Sequence, residues 1–292
     1  MFEIPGKKGL LSLCSMLALI AGCGGGEAGS GAADGDRSAA AAVVEHPVDL
    51  ATAGGISGTV TFDGDVPAPV AIDMSDEPTC LEQNDGSAMR ETVLVGSEGE
   101  LANVFVYVKE GLDPSLVFPA GDPVIIDQAG CTYRPHIVGL STGQQLTVRN
   151  SDAVLHNINA TPTENRGFNR SQPQVGMEFQ TSFPTPEVMI PIRCDVHGWM
   201  DAYVGVTSNP YHAVSNADGT FAIDRLPPGD YVLEAWHEQY GTATQSVTIE
   251  QGGVANVTFE FNGTMAGRPV PMGPALVVDH ATGTILRTTP QS

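Results

Sequence analysis

Ile190-Pro191-Ile192-Arg193-Cys194-Asp195-Val196-His197-Gly198-Trp199-Met200 packs a thiol, an imidazole and a thioether into one short loop. That trio is a soft-metal ligand set. Upstream of Cys194, the residues Val188, Ile190 and Ile192 alternate with Met189, Pro191 and Arg193, the period of a strand with one buried face, so Cys194 is expected to end a strand pointing inward. The C-x2-H-x2-M loop then turns, and Tyr203-Val204-Gly205-Val206 reads as the returning strand. A fourth donor must come from elsewhere. His156 suits the place, because Leu146 to Asn150 reads as a strand, Ser151-Asp152 as a polar turn and Val154-Leu155 as an apolar approach to His156-Asn157. Two imidazoles and a thiolate with a weak axial thioether suit copper cycling between its two oxidation states, whereas zinc seldom keeps the thioether.

These separated motifs resemble those of the cupredoxins, the small blue-copper proteins, with a loop of the amicyanin type. The matching residues are Val148 to Asp152 leading to Leu155-His156-Asn157, then Phe183, and then Cys194, His197 and Met200. The resemblance implies that His156, Cys194, His197 and Met200 hold one type 1 copper. It further implies that Asn157 hydrogen-bonds across to the Cys194 loop, and that His197, flanked by Trp199, is an electron port at the surface. The pattern departs at Ile190 and Ile192, where aromatic residues usually precede the cysteine, and at Gly198, where a proline is common. Taken singly, a buried cysteine is more often core or disulfide than ligand. Agreement between the two motifs is what favours a metal.

Composition sets the class and the compartment. With 41% hydrophobic residues among 292 the chain can build a core, and 34 Gly and 21 Pro favour turns over long helices, so an all-β fold is expected. Lys7 and Lys8, the apolar run Leu10 to Leu19, and Ile20-Ala21-Gly22-Cys23 resemble the signal and lipobox of bacterial lipoproteins. That resemblance makes residues 1–22 a signal peptide and Cys23 a lipidated mature N-terminus, with the outer membrane favoured because Gly24 is not the aspartate used for inner-membrane retention. Residues 23–54, rich in Gly, Ala and Ser, read as a flexible tether. A formal charge of -21 excludes nucleic acid as a partner and is consistent with steering toward a cationic redox protein, or simply with a solvated surface. Cys80, Cys131 and Cys194 remain in an oxidising compartment. If Cys194 is the thiolate ligand that the resemblance implies, Cys80 pairs with Cys131; the rival, Cys194 in a disulfide, would destroy the site.

After Tyr211-His212 the pattern changes to strand, Asp218-Gly219 turn, strand, Pro227-Pro228-Gly229 turn, strand. This resembles the carboxypeptidase regulatory-like, transthyretin-like β-sandwich. Its usual opening, a Gly-x-Val strand and a Gly-Pro turn, is missing just before Tyr211 but present at Gly58-Thr59-Val60 with Gly64 and Pro67. The expected fold is therefore a cupredoxin-like Greek-key sandwich joined to, or inserted in, a second sandwich. Residues 55–108 give first strands, 109–208 the copper domain (with residue 101 as an alternative start), 209–262 the regulatory-like sandwich and 263–292 a tail with a late strand over 275–278. Pairing of the Thr59 strand with the Tyr231 strand would mark nesting.

The expected function is single-electron transfer at the cell envelope by a membrane-anchored carrier, exchanging with a cytochrome or a dehydrogenase. No open coordination position is evident, so no catalysis is expected. Two alternatives stand beside it: a β-sandwich binding or adhesion lipoprotein with Cys194 oxidised, and a copper carrier or catalytic red-copper variant, which needs an open or labile site and would gain support from His136 or His237 within ligand reach. The simpler reading of His136 is structural, and of His237 an interface or surface residue.

Overall fold

The computed structural model describes residues 47–265 and two later strands, Leu276–Asp279 and Thr284–Arg287. The stretch expected to be a signal peptide, Cys23 and the expected tether up to residue 46 lie outside the described residues, as does most of the tail. Among the described residues no helix is long and apolar enough to cross a membrane.

Strand β1 (Gly54–Asp63) opens the fold. A ribbon of β2 (Ala71–Ile72) and β3 (Ala88–Met89) follows, flanking the short helix α1 (Pro78–Gln83), and then β4 (Phe105–Glu110). Nine strands come next: β5 (Val124–Gln128), β6 (Tyr133–Arg134), β7 (Ile137–Ser141), β8 (Leu146–Asn150), β9 (His156–Ala160), β10 (Phe168–Gln172), β11 (Glu178–Thr181), β12 (Glu187–Arg193) and β13 (Asp201–Thr207). They form a five-stranded sheet, β10-β9-β12-β13-β7, and a four-stranded one, β11-β8-β5-β6. Between the two sheets lie Ile126, Leu146, Val148, Ile158, Ile190 and Ile192, all buried.

The chain then returns to its beginning through β14 (His212–Val214), β15 (Thr220–Leu226), β16 (Gly229–His237), β17 (Gly241–Ile249) and β18 (Val254–Asn262). One sheet is β15-β1-β18, with β1 antiparallel to β15 and parallel to β18; the other is β14-β4-β16-β17. The Thr59 strand thus pairs with the strands of Thr220 and Thr258, while the Tyr231 strand takes β4 as its upstream partner. Both halves of this second sandwich come from either side of the nine-stranded one. Gly219 makes the β14–β15 turn possible: it has φ +72, and a side chain there would meet the carbonyl of Val60 at 2.5 Å.

The alternation expected for β12 fails at Met189 and Pro191, which are buried along with Ile190 and Ile192. For Met189 the cause is a third cluster, in which it packs with Ile137 and Tyr203 of the first sandwich against Phe105 and Trp236 of the second. Strand β4 explains the geometry, because Val106 and Val108 face their own core while Phe105 turns to the other sandwich. A second departure concerns the stretch between β1 and β4. Met74 and Cys80, with Ile72 of β2 and Ala88 of β3, pack with the nine-stranded sandwich and not with β1 and β4.

Candidate metal centre

His156 is the first residue of β9 and Cys194 follows the last residue of β12, and these two strands are neighbours paired at Ala160 with Ile192 and at Asn159 with Arg193. Adjacent strands therefore deliver the imidazole and the thiol to one end of the sheet. The loop after Cys194 closes on itself, with the Cys194 N–H donating to the Met200 carbonyl (3.1 Å) and the Met200 N–H to the His197 carbonyl (2.9 Å). This brings His197 back over the sulfur, which accepts from the His197 N–H at 3.4 Å.

The donor atoms converge. His156, Cys194 and His197, all buried, each offer a ligand atom within 4.8 Å of the others. The two Nδ1 atoms are 2.9 Å apart, and Cys194 Sγ is 3.9 Å from Nδ1 of His197. Met200 is buried in the same core, 1% exposed, with its backbone fixed by the loop. Cys194 is a free thiol, whereas Cys80 and Cys131 form a disulfide. Burial by itself would raise the Cys194 pKa, but hydrogen bonds from His156 and His197 outweigh it and bring the thiol down to about 6. A buried thiolate beside two imidazoles is a donor set that fits copper.

The surroundings fix these donors before any ion arrives. Asn157 Oδ1 accepts from the Asp195 N–H (2.7 Å) and the Cys194 thiol (3.3 Å), tying β9 to the loop. Two residues without a sequence-based role extend the support. Asp152 Oδ2 accepts from His156 Nε2 (2.8 Å) and from the Cys131 N–H (2.8 Å), while its Oδ1 accepts from the Gly130 N–H (2.9 Å). That leaves Nδ1 as the free face of His156. Burial would raise the Asp152 pKa, but these donors hold it below the ordinary carboxylate range. His156 shifts the opposite way: burial lowers its pKa, and Asp152 with Cys194 more than reverses that. Asp195 accepts from the side-chain amides of Asn157, Asn159 and Asn169 (3.1, 3.0 and 2.6 Å), pinning the residue after the cysteine. Asp152 already lay in the quoted motif; nothing local signals Asp195, because its partners come from two other strands.

His136 and His237 are engaged away from these donors. His136 donates through Nδ1 to the Asp201 carbonyl (3.1 Å), and its Nε2 is hydrogen-bonded with Glu238 Oε1 (2.6 Å). His237 is 1% exposed and its Nδ1 accepts from the N–H groups of Gln239 and Tyr240. It is thus a buried residue at the end of β16 and not a surface one. His197 corrects a larger expectation. It is only 3% exposed, because Cys80 Sγ and Glu77 Oε2 each stand 4.0 Å from its Nε2 and the Trp199 ring lies 5.1 Å away. The surface port implied by the loop motif is covered.

Residues 200–262 match the model of the carboxypeptidase regulatory-like domain. That match begins inside the β12–β13 hairpin and spans the strands after it. Among solved structures, the chain is similar to a copper-containing nitrite reductase from Thermus scotoductus SA-01, at TM-score 0.29 and 14% identity over 34% of this chain and 26% of that one. It is also similar to a purple cupredoxin from Nitrosopumilus maritimus (TM-score 0.25, 25% identity, 30% of this chain and 100% of that one). A copper(I) form of an amicyanin mutant gives TM-score 0.27 and 18% identity over 34% and 100% of the two chains. No curated protein matches the chain.

Proposed function

We propose that this chain is a single-electron carrier holding one copper ion through His156, Cys194, His197 and Met200. The observation that carries the reading is the convergence of one free thiol and two imidazole nitrogens within 4.8 Å in a buried site. A bound copper supplies a one-electron couple at that point. The residues do the rest. Asp152 holds the His156 imidazole, and Asn157 holds the loop at the cysteine by accepting from the Asp195 N–H, so little has to move when the charge of the centre changes. Burial keeps water from the donors, and Trp199 and the disulfide close the side where His197 approaches the surface. A free Cys194 argues against the adhesion alternative, which needs that thiol oxidised. His136 and His237 are engaged with other groups, which argues against a labile carrier site.

The setting forms part of the proposal. A lipid on Cys23 and the following tether would hold the copper sandwich at the cell envelope, in the outer membrane by preference, where a cytochrome or a dehydrogenase exchanges electrons with it. Titration of the metal-free protein with copper(II), followed by visible absorption, tests the central reading. One equivalent is expected to give an intense thiolate-to-copper band, and Cys194→Ser to remove it. Stoichiometric copper without that band, or the same spectrum in the variant, would overturn the blue-copper reading.

A further inference from the structure

His197 does not open to solvent, so electrons must pass through whatever covers it. The cover is the stretch from Asp73 to Asp85, whose helix α1 carries Cys80. The cap is built into the sandwich and is not a loose flap. Cys80 is joined to Cys131, Asn84 Nδ2 donates to the carbonyls of Gly130 (2.9 Å) and Cys80 (2.8 Å), and Met74 and Cys80 are fully buried. Trp199 donates to the Cys131 carbonyl at 3.0 Å, which continues the same fixed surface beside the His197 ring. Five of the thirteen residues from 73 to 85 are acidic and none is basic. Asp73, Asp76, Glu82 and Asp85 are exposed on the outside, and Glu77 sits at the inner edge against His197.

We infer that this disulfide-pinned acidic cap is the docking face of the electron carrier and that it receives a redox protein presenting a cationic surface. The inference rests on the copper reading above. Opposite charge on the two faces steers the encounter, and such steering weakens as salt screens it. A fixed cap also sets the distance over which the electron passes, since no partner can reach the imidazole edge itself.

The test uses copper-loaded full-length protein and a basic c-type cytochrome. Two triple variants are compared with the parent: Asp76→Asn/Glu82→Gln/Asp85→Asn on the cap, and Asp224→Asn/Glu250→Gln/Glu260→Gln on exposed positions of the second sandwich. In stopped flow at low salt the cap variant is expected to react about tenfold more slowly, with the gap closing at high salt, while the other variant stays near the parent rate. Amide hydrogen exchange of the metal-free protein with added cytochrome should show protection over residues 73–90, a readout that needs no copper. Equal rates for the two variants, a rate indifferent to salt, or protection confined to other strands would overturn the cap as the docking face. Failure of the copper reading would be separate, because it would show in the absorption spectrum of the unmodified protein.

Discussion

Asp152 makes more of the centre than its place in a polar turn suggests. Its two oxygens serve three donors, namely His156 Nε2 and the N–H groups of Gly130 and Cys131. Asparagine has one acceptor oxygen, so Asp152→Asn must abandon at least one of those donors in a site that is 4% exposed. Copper affinity is expected to fall about 10- to 100-fold, as is usual when a ligand's hydrogen-bond partner is lost. Competition with a chelator measures it, and an unchanged affinity would remove Asp152 from the support of the site. In the sequence the candidate donors were legible, because Cys194 and His197 sit three residues apart in one loop and the structure brings both beside His156. The support was less so. Gly130 and Cys131 are remote in sequence from Asp152, and no local pattern shows that a backbone amide will point at a carboxylate.

Strand β16 shows what one element does when its two faces serve different neighbours. Leu233 and Ala235 enter their own core, Trp236 crosses to the other sandwich, and His237 ends the strand under the Tyr240 ring at 4.7 Å. Burial first, and then the charge of His136, lower the His237 pKa from 6.5 to about 3. The folded protein therefore refuses a proton that the unfolded chain accepts once pH falls below 6.5. Stability from this group is intact above that pH and is lost on acidification down to about 3, with a slope of about 1.4 kcal/mol per pH unit for one proton. Urea unfolding from pH 7 to 4 should show a smaller acid slope in His237→Asn than in the parent; equal slopes would contradict the assignment. At this scale the strands themselves were readable, since β-branched runs and Asp-Gly or Pro-Gly turns mark them. The burial of Met189 was not, because alternation reports one covered face and cannot announce a second domain on the other.

The two sandwiches are held as one body by the cluster around Phe105. Gly205 keeps the approach open, since a side chain there would meet the Phe105 ring at 2.6 Å and the Met189 sulfur at 2.8 Å. Phe105→Ala empties a fully buried site and is expected to cost about 3–5 kcal/mol. Calorimetry should show one transition in the parent and two in the variant; a variant that still melts in one step would mean that the chain crossovers alone couple the sandwiches. A split opening strand was legible from Gly58-Thr59-Val60, yet its partner was not the Tyr231 strand, because β1 sits between β15 and β18 while β4 meets β16. The cover over His197 was illegible for a related reason: it comes from a stretch that sequence order assigns to the other sandwich. All of this leads to one centre, and X-ray absorption at the copper edge of the loaded protein tests it most directly. The account predicts a nearest shell of one sulfur and two imidazole nitrogens, with the sulfur lost in Cys194→Ser; a shell of nitrogen and oxygen alone in the parent would contradict it.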